Sequence, residues 1–128
     1  MGARVHQTNS LYEQLGGEEM VSRAVSIFYR KVLGDPLLRP FFEGVDVTRV
    51  ESMQRAFLAT VFGGPRTYSG RDMRRAHARL VERELADVHF DAVLNHLDNT
   101  LEELNVGKLL RDWARALTES QRKDILGR

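Results

Sequence analysis

Glycine and proline residues divide this chain into segments of helical length, and this division constrains the fold more than any other feature. Between the breaks, apolar residues recur every three or four positions, and no alternation typical of a strand continues beyond a few residues. The pattern therefore predicts an all-α fold. The breaks fall at Gly16-Gly17, Gly34-Asp35-Pro36, Pro40, Gly44, Gly63-Gly64-Pro65, Gly70 and Gly107.

The apolar stripes predict where the helices lie. Asp46 and Asp87 stand where N-caps are expected, and Gly34 stands where a helix should end. A polar tail, residues 118–123, is expected to follow the last helix. The stripes are Met20, Val21, Ala24, Val25, Phe28, Val32; Val50, Met53, Phe57, Leu58, Val61; Phe90, Val93, Leu94, Leu97, Leu101, Leu104; and Leu109, Leu110, Trp113, Ala114, Leu117.

Composition limits the classes of function. The 128 residues, 42% of them apolar, are enough for one core, so we expect a single domain over residues 10–128 with residues 1–9 loosely attached. A formal net charge of +1 gives no reason to expect nucleic acid as a partner, and the absence of cysteine excludes thiolate metal sites and thiol nucleophiles. The sequence offers no membrane span and no secretory signal, so a cytoplasmic protein is expected.

Three polar residues interrupt or border apolar faces without an evident partner, and two aromatic residues occupy a tight connection. His77 lies near the middle of an apolar face among several arginines, as either a hydrogen-bonded core histidine or an axial metal ligand. Gln54 falls inside its stripe and Tyr29 lies at the edge of another, so a mutual hydrogen bond in the core is one interpretation of the pair. Phe41-Phe42, in a tight connection, are expected to cover a pocket. His89 and His96 are interpreted as surface or boundary residues.

These features occur among motifs that resemble the group I truncated haemoglobins, short globins with a two-over-two helical sandwich. The resemblance runs from about Ser10 to about Val106. The motifs are Leu11-Tyr12-Glu13-Gln14-Leu15-Gly16-Gly17, Phe28-Tyr29 with Val32-Leu33, Asp35-Pro36 with Pro40-Phe41-Phe42, Gly63-Gly64-Pro65 with Tyr68-Ser69-Gly70, Met73 with Ala76-His77, and His89-Phe90-Asp91-Ala92-Val93 with His96-Leu97.

The resemblance implies non-covalent haem b (iron protoporphyrin IX) with His77 as the axial ligand. It implies that Tyr29 and Gln54 hydrogen-bond dioxygen, that Phe42 packs on the porphyrin, and that Tyr68 and Arg79 lie near the propionates. Met53 is a minor alternative as an internal sixth ligand, since a thioether can ligate haem iron. The remaining haem contacts implied are Val50, Met53, Leu58, Met73, Phe90, Val93 and Leu97.

Two departures from the family pattern concern the second half of the chain. The connection from His77 to Phe90 is longer than usual and lacks its glycine, so the helix of His77 is expected to continue further. The last helix, from Gly107, has no histidine for covalent haem attachment.

The family resemblance implies reversible oxygen binding at an iron with an open sixth position, with carbon monoxide and nitric oxide as further ligands. It also implies conversion of nitric oxide to nitrate, with an external reductase for turnover. Oxygen transport, storage or sensing without turnover is the alternative within the same pocket. A cofactor-free helical interaction protein is the third class.

Overall fold

The computed structural model describes residues 10–63, 75, 77, 78 and 80–128, and every regular element within them is helical. Residues 75, 77, 78 and 80–82 are helical and are called the His77 segment below. The other elements are α1 (Leu11–Leu15), α2 (Gly17–Leu33), a 3₁₀ helix (Arg39–Phe42), α3 (Val47–Val61), α4 (Asp87–Glu103), α5 (Lys108–Glu119) and α6 (Arg122–Ile125).

Two pairs of helices form the body of the molecule. Helix α2 packs against α3, α4 packs against α5, and α2 also contacts α4 and so joins the pairs. The main core lies between them and contains, among others, Val25, Phe28, Leu58, Leu97 and Leu101. The predicted all-α, two-over-two arrangement is therefore confirmed.

Local chemistry explains several helix boundaries. The Asp46 carboxylate accepts a hydrogen bond from the Thr48 N–H at 3.0 Å, so its predicted N-cap role is confirmed. Gly34 ends α2 as expected. Between α1 and α2, Gly16 and Gly17 have φ angles of 118° and 71°, which residues with a Cβ rarely adopt. This pair of glycines therefore allows the sharp bend between the first two helices.

The predicted N-cap role of Asp87 is wrong by one position. Asp87 is the first residue of α4, and the cap position is Ala86, whose N–H donates to His89 Nδ1 at 2.9 Å. The Asp87 carboxylate instead accepts hydrogen bonds from Arg122 and Arg128 at the end of the chain. Tertiary partners thus compete with the local cap for this side chain.

The apolar stripe predicted for the last long helix, α5, includes two residues that do not face the core. Leu109 is 85% exposed and Trp113 is 38% exposed, whereas Ala114 and Thr118 are fully buried. At 100° per residue, the face of α5 that contacts the core is centred on Ala114, Trp113 lies at its side, and Leu109 lies about 140° away, towards the opposite side of the helix. The Thr118 hydroxyl is satisfied by donating to the Ala114 carbonyl at 2.9 Å, which explains a polar side chain on the buried face.

The expected polar tail is also corrected. Thr118 belongs to α5, and the chain then forms the short helix α6. Ile125 and Leu126 are buried in a second cluster with Phe90 and Leu94. The end of the chain therefore packs onto the first half of α4.

Residues 1–9, predicted to be loosely attached, lie outside the described residues, and the single-domain assignment stays a prediction. Among the helices that the structure describes, none combines the length and the apolar character needed to cross a membrane.

Candidate functional site

His77 is half-buried on its segment and faces α3. Its ring meets the Phe57 ring edge to face, with centroids 6.3 Å apart and planes at 67°. Phe57 is partly buried and packs against both apolar clusters. The imidazole therefore lies against the apolar interior, as its position in the sequence predicted. The contribution of Phe57 was not predicted, because a phenylalanine in a helical stripe resembles ordinary core.

The His77 segment ends soon after residue 82, and a left-handed residue terminates it. Glu84 has a φ of 70°, its N–H donates to the Val81 carbonyl at 2.9 Å, and the Leu85 N–H donates to the Leu80 carbonyl at 3.0 Å. This pair of bonds is a Schellman motif, in which the left-handed position usually carries glycine. Glu84 thus holds a left-handed position that glycine would occupy with less strain.

Gln54 has a buried polar atom that the rest of the described structure does not satisfy. Its Oε1 is buried and has no hydrogen-bond partner among the described residues. A buried amide oxygen without a partner costs about 1–3 kcal/mol, so it normally has one. Since the Tyr29 hydroxyl does not donate to this oxygen, the interpretation in which the two residues satisfy each other in the core is wrong.

Tyr29 lies on α2 and is only 6% exposed. Burial raises the pKa of its hydroxyl above the usual value, and the negative charge of Glu51 raises it further. Both effects favour the neutral phenol, which has a proton to donate. Tyr29 and Gln54 therefore bring hydrogen-bonding groups to the interior from the neighbouring helices α2 and α3.

Phe41 and Phe42 both contact other aromatic rings. Phe42 meets the Tyr29 ring edge to face, with centroids 6.2 Å apart, and is partly buried against the main core. Phe41 is buried and contacts the His89 ring at 4.8 Å. Both rings therefore pack inward from the 3₁₀ helix, and the expectation that they cover a pocket stays a prediction.

The predicted apolar lining is distributed over α3 and α4. Val93 is half-buried, and the side chain of Met53 is not among those described. Tyr68, Met73 and Arg79 lie outside the described residues, so their predicted contacts stay predictions. The buried members are Val50, Leu58, Phe90 and Leu97.

These residues fit a haem pocket. Haem needs an imidazole ligand, apolar walls and, on the opposite side, polar groups suited to a small ligand. The chain supplies His77, the buried lining and the buried Tyr29 hydroxyl. A helical core alone does not explain the Gln54 oxygen, which has no hydrogen-bond partner in the part of the chain that the structure describes. Rotation of the amide group would let either its oxygen or its N–H face a ligand.

An all-α two-over-two sandwich that carries these residues is the architecture of a small globin. The model of the bacterial-like globin family matches residues 10–126. The chain belongs to this family, among the group 1 truncated haemoglobins. It is a haem globin of the kind that binds oxygen and other small ligands.

Named relatives agree with this assignment. The group 1 truncated haemoglobin of Tetrahymena pyriformis is 37% identical over 124 residues, covering 97% of this chain and 100% of the relative. That of Synechocystis is 46% identical over 99 residues, covering 77% and 80%.

Solved structures agree as well. The 2/2 haemoglobin of Synechococcus, solved in the cyanomet state with covalently attached haem, has a TM-score of 0.85 and 43% identity, covering 93% of this chain and 99% of the other. The Tetrahymena pyriformis protein in its Fe(III) form has a TM-score of 0.83 and 38% identity, covering 94% and 100%. A Tyr-to-Phe variant of that protein has also been solved.

Proposed function

We propose that this protein binds dioxygen reversibly at a haem held by His77 and converts nitric oxide to nitrate. The observation that carries the proposal is the buried amide oxygen of Gln54, which has no hydrogen-bond partner among the described residues and lies on the helix next to that of the buried Tyr29. A cofactor-free interaction protein gives no reason to keep such a group inside.

The proposal assigns a role to each part of the site. His77 is the axial ligand, and Phe42, Val50, Leu58, Phe90, Val93 and Leu97 form the apolar surround. Tyr68, Met73 and Arg79 are proposed as further contacts from the resemblance alone. We propose non-covalent haem b, because the last histidine of the sequence is His96 and no histidine follows on α5 or α6.

The bound haem supplies the ligand site and the redox chemistry. The chain controls the polarity around it. Dioxygen bound at such a haem would carry partial negative charge, and the neutral Tyr29 hydroxyl and the Gln54 amide N–H would be the donors for that charge. Inside a poorly polarisable interior, fixed donors of this kind stabilise charge more than water does.

Conversion of nitric oxide to nitrate joins one nitric oxide to one dioxygen and takes up one electron. An external reductase is therefore required for turnover. The apolar lining helps by excluding water, which would otherwise compete for the same donors. The cytoplasmic location stays a prediction.

The experiment has two stages. Protein reconstituted with haem and reduced should show a Soret band that shifts on addition of oxygen and of carbon monoxide. The oxygenated protein is then mixed with nitric oxide, nitrate is measured, and turnover is followed with a flavin-dependent reductase and NADH. No Soret band would overturn the haem assignment. Oxygen binding without reductase-dependent nitrate production would leave oxygen storage or sensing as the function.

A further inference from the structure

Arg83 connects two parts of the pocket that are far apart in the sequence. It lies directly after the His77 segment, and its Nη2 donates to the Pro40 carbonyl at 2.9 Å. Its Nη1 also donates to the Phe41 carbonyl, at 3.4 Å. One guanidinium group thus binds two successive carbonyls of the 3₁₀ helix.

These two carbonyls need donors from elsewhere. The last carbonyls of any short helix have no partner within the helix. A guanidinium group presents several N–H donors in a fixed fork, so it can bind two neighbouring oxygens at once, whereas a lysine offers a single ammonium group. Arg83 is therefore suited to fixing both the position and the orientation of the 3₁₀ helix.

The backbone at Arg83 is itself held in place. The Arg83 N–H donates to the Leu80 carbonyl at 3.0 Å, and the Schellman bonds at Glu84 and Leu85 follow immediately. The side chain therefore extends from a fixed point at the end of the helix that carries His77. The other end of the contact, Phe41, also packs against His89 at the start of α4.

We infer that Arg83 is a positioning residue that fixes the 3₁₀ helix, and with it Phe42, relative to the helix of His77. Phe42 in turn contacts Tyr29. A continuous set of contacts thus joins the His77 side of the pocket to the Tyr29 side. The inference rests on the proposed haem site, and it adds a residue to which the family motifs give no role.

The test compares Arg83→Met, which keeps the length of the side chain and removes its donors, with Arg83→Lys. Arg115→Met is the matched control, because Arg115 is an exposed arginine that donates to Asn95 on another face. Transfer of haem to excess apomyoglobin should be roughly 3- to 10-fold faster in Arg83→Met, the equivalent of one ordinary hydrogen bond. Arg83→Lys should recover part of the loss, and Arg115→Met should match the wild type.

Amide hydrogen exchange of the apoprotein gives a readout that does not depend on haem. The N–H groups of Phe41 and Val45 donate to the Leu38 and Phe42 carbonyls, at 3.1 and 3.3 Å. They should exchange faster in Arg83→Met, while amides in the middle of α4 stay unchanged.

Two outcomes would overturn the inference. One is wild-type haem transfer together with wild-type exchange in Arg83→Met. The other is a uniform rise in exchange over all helices, which would show a general loss of stability. If the wild type takes up no haem, the proposed function fails, and the exchange experiment still decides whether Arg83 fixes the 3₁₀ helix.

Discussion

His96 Nε2 lies 2.8 Å from Asp35 Oδ2, and this contact joins the middle of α4 to the turn that follows α2. Both side chains are 21% exposed. The other carboxylate oxygen of Asp35 accepts a hydrogen bond from the Leu37 N–H at 2.9 Å. Asp35 therefore holds the start of the segment that leads to Phe41 and Phe42.

This contact predicts a loss of stability in acid. The hydrogen bond from His96, and then that from the Leu37 N–H, lower the pKa of Asp35 below its usual value of 3.8. The carboxylate thus contributes stability that is fully present above pH 3.8 and is lost as the pH falls through the lowered pKa. His96→Phe should reduce the free energy of unfolding of the apoprotein by about 1 kcal/mol at neutral pH.

Urea unfolding from pH 7 down to pH 2 measures the effect. The difference between the wild type and His96→Phe should shrink as Asp35 becomes protonated. Asp35→Asn is the control, because asparagine does not titrate. Its stability should already be reduced at neutral pH and should depend less on pH between 7 and 2 than that of the wild type. A difference that stays constant down to pH 2 would contradict the assignment.

The fold was predictable to the extent that its signals are local. The Asp46 cap and the helix end at Gly34 depend on residues within one turn, and the apolar stripes have a helical period. The contacts of Asp35 with His96, and of Arg83 with Pro40, join residues more than forty positions apart. No short sequence pattern indicates such pairs, so these contacts could not be predicted.

The residues of the candidate site also differ in whether the sequence alone could indicate them. His77, Tyr29 and Gln54 could be singled out because a polar residue on an apolar face is visible in the sequence, whereas their roles at the haem come from the family resemblance and stay predictions. The exposure of Leu109 and Trp113 was not predicted, because both residues are as apolar as those of the core. Only the packing of α5 shows which side of that helix faces inward. Asp87 was assigned to a local cap because its partners, Arg122 and Arg128, come from the end of the chain.

Replacement of Glu84 by glycine should stabilise the protein. A left-handed conformation costs a residue with a Cβ roughly 1 kcal/mol, and the greater freedom of glycine in the unfolded chain offsets part of this gain. We expect Glu84→Gly to raise the free energy of unfolding by about 0.5 kcal/mol. Asn105, with a φ of 66° after α4, is the control, and Asn105→Gly should gain less because asparagine tolerates this conformation. Lower stability of Glu84→Gly in urea would contradict the proposed strain.

Arg122 is expected to hold the end of the chain against α4. Its guanidinium group binds the carboxylates of Asp87, Asp91 and Glu119, and it lies 4.5 Å from the centre of the Phe90 ring. The acidic partners are about half-exposed, so each pair contributes modestly, but the four contacts share one ordered side chain.

Arg122→Met should therefore lower the free energy of unfolding by about 1–2 kcal/mol, and 1 M NaCl should reduce this difference. Lys108→Met removes an exposed pair with Asp112 on a single helix and should change stability by less than about 0.5 kcal/mol. Equal effects of the two variants would show that the Arg122 contacts do not act together.

His77→Gly tests the axial ligand. The variant should retain haem poorly, or retain it only when free imidazole is added to replace the missing side chain. The ferrous visible spectrum and the rate of haem transfer measure this, and His96→Phe is the control because its imidazole is bound to Asp35. A wild-type ferrous spectrum in His77→Gly without imidazole would show that the assignment is wrong.

The hydrogen bonds of Tyr29 and Gln54 should distinguish dioxygen from carbon monoxide. A hydrogen bond to a partly charged ligand contributes about 1.5–3 kcal/mol, which corresponds to roughly a 10- to 100-fold faster dissociation of oxygen in Tyr29→Phe. Carbon monoxide carries little charge on its oxygen and should respond much less. Gln54→Leu should also speed oxygen dissociation, and the double variant should be non-additive if Gln54 orients the Tyr29 hydroxyl as well as the ligand.

Stopped-flow dissociation of both gases from the four proteins measures these effects. The apoprotein provides a second distinction, because the Gln54 oxygen has no partner among the described residues. Replacing Gln54 by leucine removes a buried polar group that is not satisfied, so the apoprotein should keep or gain stability. If Tyr29 and Gln54 contributed only to packing, the variants would instead change the dissociation of both gases to a similar degree. Equal changes for oxygen and carbon monoxide would therefore exclude the proposed role in ligand binding.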